Sequence, residues 1–516
     1  MDLVDSFSLF LYAFKMQKND LDTPDGIWKR SLLEPEKNFY FNHVQSFFIK
    51  NNADVTTIAD ESCCVRYELH RDKTTERQKE KLLLFNQLFS RTAQTMPGEN
   101  KQAVLFKVFT DNSILSPGIL YNPLSGIAIL SFGFALSKES NNLQNVTDLN
   151  YLVRVFGRSD SASFAVLKKE HPAAREQENK ISQELQQFNT GRKQSEESQY
   201  HYWNIQTLIK ILLQDIADDA VTILSPNRLQ CFTYLQADEK LNENELHIAS
   251  FRLRRMYNNH YFPGPHFLHG SAETEQTFEQ VHFGASIEGC AMIVNDNKED
   301  MPSFLRNYGV VVKNRYIWSY LLAYYQRLAL IEMNDELSHL YDAGQPELEE
   351  LLRVSSNLSK IELRALFTQV SYFSQHNDFY DFCKRNLKLG EMYGAIKEKL
   401  AGVSRIVQEE VEKEEKVKEK KREKKDRLLE VMIAALLIPE IIFEFLSMLE
   451  HVFEINFPME EHHVFTYILF AFASMLLLTL IPFAFRIYKE YYQVARSYIK
   501  KQEISDDIGL KKKYTD

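Results

Sequence analysis

The sequence LLEVMIAALLIPEIIFEFLSML at residues 428–449 and the sequence VFTYILFAFASMLLLTLIPFAF at residues 464–485 decide the predicted fold. The second run has no charged residue, and at a helical rise of ~1.5 Å per residue it would cover the ~30 Å hydrocarbon core of a bilayer. A short acidic loop joins the two runs. The pattern predicts a C-terminal transmembrane hairpin, with helix 428–449, outer loop 450–463 and helix 464–487.

The first run contains three glutamates, although each costs roughly 2.5 to 3.5 kcal/mol at the centre of a membrane. At ~100° per residue, four carboxylates share about a quarter-turn of the helix, with two apolar residues between them. Bundled copies with this face inward would form acidic rings and an apolar constriction. The predicted pore-lining residues are Asp426, Glu430, Ile433, Leu437, Glu440 and Glu444. In a purely structural alternative, Glu430 lies at the headgroups, and Glu440 and Glu444 hydrogen-bond to a neighbouring helix.

Charge predicts the orientation of this hairpin. Eight Lys or Arg residues lie between Lys416 and Arg427, more follow the second run, and the loop between the runs has none. The excess of positive charge at the two ends of the hairpin predicts that both termini lie in the cytoplasm. The chain is therefore predicted to be a multi-pass protein of the inner membrane, in contact with lipid. The outer loop would attract cations, without a specific metal being indicated. Its relevant residues are Glu454, Asn456, Glu460, Glu461, His462 and His463.

Composition limits the class of protein. The 516 residues are too many for one core, and the net charge of −10 argues against direct binding to nucleic acid. Five cysteines without zinc-site spacing are interpreted as buried thiols. The sequence has no G-x-x-x-x-G-K-[ST], G-x-G-x-x-G or H-E-x-x-H motif, so no enzyme activity is predicted.

The first 310 residues predict a cytoplasmic mixed α/β domain. Its N-terminal MDLVDSFSLFLYAFK is a strand or helix, and Thr74 to Ser90 is predicted to be helical. Residues 168–198 are rich in Glu, Gln, Lys and Ser and predict an exposed helix or insertion without an assigned role. The predicted strands are 103–109, 119–121, 128–132, 221–224, 230–235, 247–253 and 291–294, with the turn Asn122 to Gly126 joining the second and third.

Residues 311–427 predict a helical region, which includes a long aromatic packing helix from Tyr316 to Leu340. Apolar residues then repeat every three or four positions, which is typical of a coiled-coil seam. If this helix continues to Leu449, it would form a stalk ~90 Å long, and residues 488–516 would be a basic cytoplasmic tail. The seam residues are Leu389, Tyr393, Ile396, Leu400, Val403 and Val407.

An α/β domain, a long stalk, two membrane helices and a basic tail together resemble the CorA family of divalent-cation channels. That family carries Gly-Met-Asn after its first membrane helix, then Met-Pro-Glu. Here Asn456 alone matches the tripeptide, and Pro458 and Met459 stand in inverted order before Glu460. The resemblance implies a homo-oligomer, a pentamer, that passes a Mg²⁺-like divalent cation.

The chain is also similar in plan to a CorA-like branch associated with type III CRISPR systems. The resemblance to that branch implies that a nucleotide messenger, a conjugate of S-adenosylmethionine and AMP, opens the pore in antiviral defence. Arginines near turns suit phosphate and adenine, although such clusters also occur as solvated strands or subunit contacts. The candidates are Arg154, Arg158, Arg252, Arg254 and Arg255. The alternative function is a non-conducting receptor or scaffold that the hairpin merely anchors in the membrane.

Overall fold

A computed structural model describes most of the first 452 residues of the chain. The described residues are 1–16, 21, 28–31, 33, 35–36, 39–48, 64–69, 88–91, 103–109, 113–155, 163–167, 200–213, 216, 222–224, 228–268, 272–299, 301–342, 348–364 and 367–452. The following predictions lie outside them: Arg158, residues 168–198, residues 453–463 of the outer loop with its six cation-attracting residues, the second apolar run and the basic tail.

Strand β1, Leu3–Lys15, lies at the centre of the sheet. Its sequence is an almost continuous apolar run, as expected for a strand that is covered on both faces. Successive side chains of a strand point to opposite faces, so they enter two different cores. Phe7, Leu9 and Leu11 belong to one core, and Phe10, Tyr12 and Phe14 belong to the other.

The described strands form one mixed sheet in the order β12-β13-β14-β11-β1-β7-β5-β4-β8-β9, with β10 beside β1 and with β6, β3 and β2 continuing from β7. Strands β11 and β14 are parallel, whereas the other described pairings are antiparallel. The remaining strands are β2 Trp28–Arg30, β3 Val65–Leu69, β4 Leu88–Arg91, β5 Ala103–Val108, β6 Gly118–Tyr121, β7 Ile127–Leu136, β8 Ser163–Leu167, β9 Tyr200–Asn204, β10 Thr222–Ile223, β11 Gln230–Ala237, β12 Thr274–Phe278, β13 Val281–Ala285 and β14 Gly289–Val294.

Helices cover both faces of this sheet. The described helices are α1 Asn42–Phe48, α2 Leu143–Val153, α3 Ile205–Leu212, α4 Glu243–Arg254, α5 Pro265–Leu268, α6 Tyr308–Val311, α7 Ile317–Asp342, α8 Leu348–Arg364, α9 Ser374–Asn386 and α10 Leu389–Val452, with a π-helical turn Val312–Tyr316 before α7. One core lies between the sheet and α1, α7 and α9, and the second lies between the sheet and α2, α3 and α4. The arrangement is therefore a three-layer α/β/α sandwich.

Helix α10 is continuous over 64 residues. The side chain of Ile396 is 1% exposed and belongs to the same core as α7. Lys399 Nζ donates to Asn334 Oδ1 on α7 at 2.6 Å, and Lys397 Nζ donates to Glu362 on α8 at 3.3 Å. The first part of the predicted coiled-coil seam therefore packs against helices of its own chain.

The chain divides into two units, Met1–Glu412 and Lys413–Asp516. Between residues 413 and 430, every side chain that the structure describes on α10 is exposed. The four described cysteines are buried free thiols, which confirms the interpretation of those four. They are Cys64, Cys231, Cys290 and Cys383.

The transmembrane hairpin in the predicted fold class is wrong. Among the residues that the structure describes, no helix has the length and apolar character needed to cross a membrane. The first apolar run is the end of α10, where Glu430, Glu440 and Glu444 are exposed, and charged groups of this kind are costly in hydrocarbon. This finding contradicts the hairpin and, with it, the predicted multi-pass location in the inner membrane.

Candidate ligand-binding site

The candidate site lies where the end of α2 meets the end of α4 and the loop that follows it. Helix α4 ends in a Schellman motif, in which Tyr257 N donates to Arg252 O at 2.8 Å and Met256 N donates to Leu253 O at 3.2 Å. Met256 takes a φ of 53°, a left-handed conformation usually given to glycine. Its side chain is 1% exposed in the core, and this burial holds the residue in place.

Arg154, just after α2, is the central cation of the site. Its guanidinium carbon lies 4.3 Å from the ring centroid of Tyr151 and 5.2 Å from that of Tyr257. Its Nη1 donates to the Met256 carbonyl at 3.0 Å. Partial burial lowers the pKa of Arg154, the neighbouring tyrosines oppose this, and the charge of Arg228 lowers it further.

Arg228 brings a second positive charge close enough to lower the pKa of Arg154. It forms an isolated β-bridge with Val155, the residue after Arg154, and its side chain is exposed. Within the described part of the chain, neither Arg154 nor Arg228 forms a salt bridge with a carboxylate. Two neighbouring guanidinium groups without a counter-ion repel each other, so this position favours an anion.

One exposed aromatic ring, that of Tyr261, lies beside these cations together with the half-buried rings of Tyr151 and Tyr257. Tyr261 is 43% exposed and stacks on Tyr257, with ring centroids 4.7 Å apart and an interplanar angle of 21°. Its ring centroid is 6.0 Å from that of Tyr151. Exposed aromatic faces of this kind can stack with a planar base. We call Tyr151, Arg154, Arg228, Tyr257 and Tyr261 the arginine–tyrosine site.

Arg252 holds the loop of this site with three of its five N–H donors. Its Nη1 and Nη2 donate to the side-chain and main-chain oxygens of Asn259 at 2.8 and 3.0 Å, and its Nε donates to Tyr261 O at 3.1 Å. Burial raises the pKa of nearby Asp148, an effect that His260, the Asn259 main chain and Arg252 oppose. Arg252 therefore supports the loop that carries the exposed Tyr261.

Arg254 and Arg255, two further candidates, belong to a different surface. Arg254 is fully buried, and its Nε donates to Glu273 Oε2 at 3.0 Å. Burial lowers the pKa of Arg254, and Glu273 opposes that shift. Arg255 pairs with Glu273 as well and lies 3.9 Å from Glu288. Both guanidinium groups are therefore neutralised by carboxylates of their own chain.

Sequence reasoning thus finds Arg154 and Arg252 but not Tyr151 or Arg228. Tyr151 carries a usable signal, because positions i and i+3 share one face of a helix and Tyr151 precedes Arg154 by three residues. Arg228 has no such signal, since it reaches the site through its bridge with Val155, far away in sequence.

The six residues predicted to line a pore all lie on α10, and all are exposed. A pore of this kind requires the transmembrane hairpin, which the structure contradicts. Within the described residues, no group of three or more His, Cys, Asp or Glu side chains could hold a metal ion. The predicted divalent cation remains a prediction.

No protein-family model matches this chain, and no curated protein or solved structure matches it. The resemblance to CorA-like channels therefore remains a prediction.

Proposed function

We propose that this chain is a receptor for a small nucleotide-like ligand, which binds at the arginine–tyrosine site. The observation that carries the proposal is the pair Arg154 and Arg228, two neighbouring guanidinium groups without a carboxylate partner among the described residues. A phosphate group would supply the missing negative charge through charge-assisted hydrogen bonds.

The aromatic rings narrow the class of ligand. Tyr261 offers an exposed face next to the cations, and base stacking on such a ring contributes ~1 to 3 kcal/mol. An anion without a ring would use only the arginines, whereas a nucleotide would use both parts of the site. The resemblance adds a specific candidate, the conjugate of S-adenosylmethionine and AMP.

Isothermal titration calorimetry on the full chain tests this proposal, with AMP, ATP, the S-adenosylmethionine–AMP conjugate and inorganic phosphate as ligands. At least one nucleotide should bind, and phosphate should bind more weakly because it cannot stack. Arg154→Gln should weaken nucleotide binding about 10- to 100-fold, which corresponds to a charge-assisted hydrogen bond of ~1.5 to 3 kcal/mol.

Tyr261→Ala should weaken nucleotide binding but leave phosphate binding unchanged, since it removes the stacking surface alone. Lys240→Gln is the matched control, because Lys240 is an exposed cation that pairs with Glu279. This variant should bind nucleotides as tightly as the wild type. Absence of binding by every nucleotide, or unchanged binding in Arg154→Gln, would refute the proposal and favour a scaffold without a ligand.

A further inference from the structure

A cleft of about 510 Å³ lies between the edge of the sheet and the junction of α9 with α10. Its volume is within the range of small-molecule sites. One wall comes from β12 and the residues around it, including Glu275 and Ile287. The opposite wall comes from the end of α9 and the start of α10, with Arg385, Asn386, Lys388 and Glu391.

The cleft is rich in charges that balance each other. Arg385 Nη2 lies 2.6 Å from Glu275 Oε2 across the cleft, and Lys388 Nζ lies 3.0 Å from Glu391 Oε2 along one wall. Arg385, Lys388 and Glu391 are largely exposed, at 67%, 56% and 72%, and Glu275 is 37% exposed. Exposed ion pairs contribute little stability, so a ligand can replace either partner at low cost.

We propose that this cleft binds a small zwitterion, an amino acid with an apolar side chain. The ligand carboxylate would face Arg385 and Lys388, and its ammonium group would face Glu275 and Glu391. Ile287, which is 44% exposed, provides apolar surface for the side chain. A ligand with a single charge would separate the existing pairs and leave one sign without a partner.

The position of the cleft links this ligand to the start of α10. Lys388 has a φ of 61° and, with Leu387, connects α9 to α10. Asn386 Nδ2 donates to Ala272 O at 3.3 Å, which ties the last turn of α9 to the segment before β12. A ligand that contacts both walls would therefore stabilise this junction, and amide hydrogen exchange over residues 385–392 should slow when it binds.

Calorimetry on the full chain with each of the twenty common L-amino acids tests the proposal. At least one apolar amino acid should bind. For leucine as the probe, leucinamide carries only the positive charge and 4-methylpentanoate carries only the negative charge, so each should bind at least tenfold more weakly. The same comparison applies to the amide and the deaminated acid of whichever amino acid binds best.

Arg385→Gln and Glu275→Gln should each weaken binding at least tenfold. Lys418→Gln is the matched control, because Lys418 and Glu414 form an exposed ion pair 3.4 Å apart on α10 outside the cleft. If either charge variant fails to fold, Ile287→Asp provides a second test at an exposed position. This change removes the apolar surface of the cleft, so it should weaken amino-acid binding. Circular dichroism establishes that each variant is folded.

Three outcomes would overturn the proposal: no amino acid binds, the singly charged analogues bind as well as the zwitterion, or the cleft variants bind like Lys418→Gln. Arg154→Gln separates this site from the nucleotide site, because it should leave amino-acid binding unchanged. Failure of one proposal therefore does not decide the other.

Discussion

Lowering the pH should destabilise this protein through His376, near the start of α9. The imidazole is fully buried, 4.1 Å from the ring centroid of Phe39 and 4.4 Å from that of Tyr316. Among the residues that the structure describes, none is a hydrogen-bond partner of its Nδ1. Burial, with a smaller contribution from the charge of Arg315, lowers the pKa of His376 from 6.5 to about 3.

The sign of the effect follows from linkage between protonation and folding. The folded state keeps His376 neutral, whereas the unfolded chain protonates it as the pH falls below 6.5. The stability that the neutral His376 contributes to the folded state is therefore fully present above pH 6.5, and it is lost as the pH falls from 6.5 towards about 3. Between about pH 7.5 and about pH 5, the free energy of unfolding should fall by ~2 kcal/mol from this group alone.

Urea unfolding of wild type and of His376→Leu, followed by tryptophan fluorescence, measures this loss at the two pH values. The wild type should lose ~2 kcal/mol more than the variant over this interval. The difference between wild type and variant removes the pH-dependent contributions of other titrating groups, because both proteins share them. One such group is Glu36, which pairs with Arg315 in the same region. His376→Gln provides a polar control that does not titrate. Equal losses in wild type and both variants would refute the reasoning.

Three further changes test the packing by urea unfolding. Lys388→Gly should raise the unfolding free energy by ~0.5 to 1 kcal/mol, because glycine accepts a φ of 61° without strain, and Lys388→Ala should show no such gain. Gly289→Ala should lower the free energy of unfolding by at least ~2 kcal/mol, because the new Cβ would lie 2.9 Å from Cys231 O and 3.1 Å from Arg254 O. An unchanged free energy of unfolding would contradict this prediction. Glu273→Gln should cost ~3 kcal/mol by leaving the buried Arg254 guanidinium without its carboxylate, and Arg254→Met in the same chain should recover part of that loss.

Local sequence patterns determine several elements of this fold. The run SFSLFLYAFK predicts a strand or a helix, and in the structure it is β1, a strand that is buried on both faces. The turn Asn122 to Gly126 joins β6 to β7, and Gly126 takes a φ of 70°. The apolar repeat after Leu389 continues as one helix. In these cases the short-range pattern and the tertiary packing favour the same conformation.

Other elements are predicted wrongly because neighbouring signals compete. Residues 247–253, HIASFRL, suggest a strand, yet they lie within α4. The decisive signal comes earlier in the sequence, where Asn242 and Glu245 form a capping box that starts the helix. The helix predicted for residues 74–90 is wrong at residues 88–90, which belong to β4, where pairing with β5 and β8 decides their conformation. Residues 74–87 lie outside the described residues.

The sequence by itself determined apolar strands such as β7, β11 and β14, the turn from Asn122 to Gly126 and the long helix α10, since these depend on interactions between residues close in the chain. Only the tertiary structure decided which arginines could bind a ligand. Arg254 meets Glu273 across 19 residues and is neutralised, whereas Arg154 meets Arg228 across 74 and has no carboxylate beside it among the described residues. The charge state of a site depends on such distant neighbours, because electrostatic interactions depend on separation in space and not on separation in sequence.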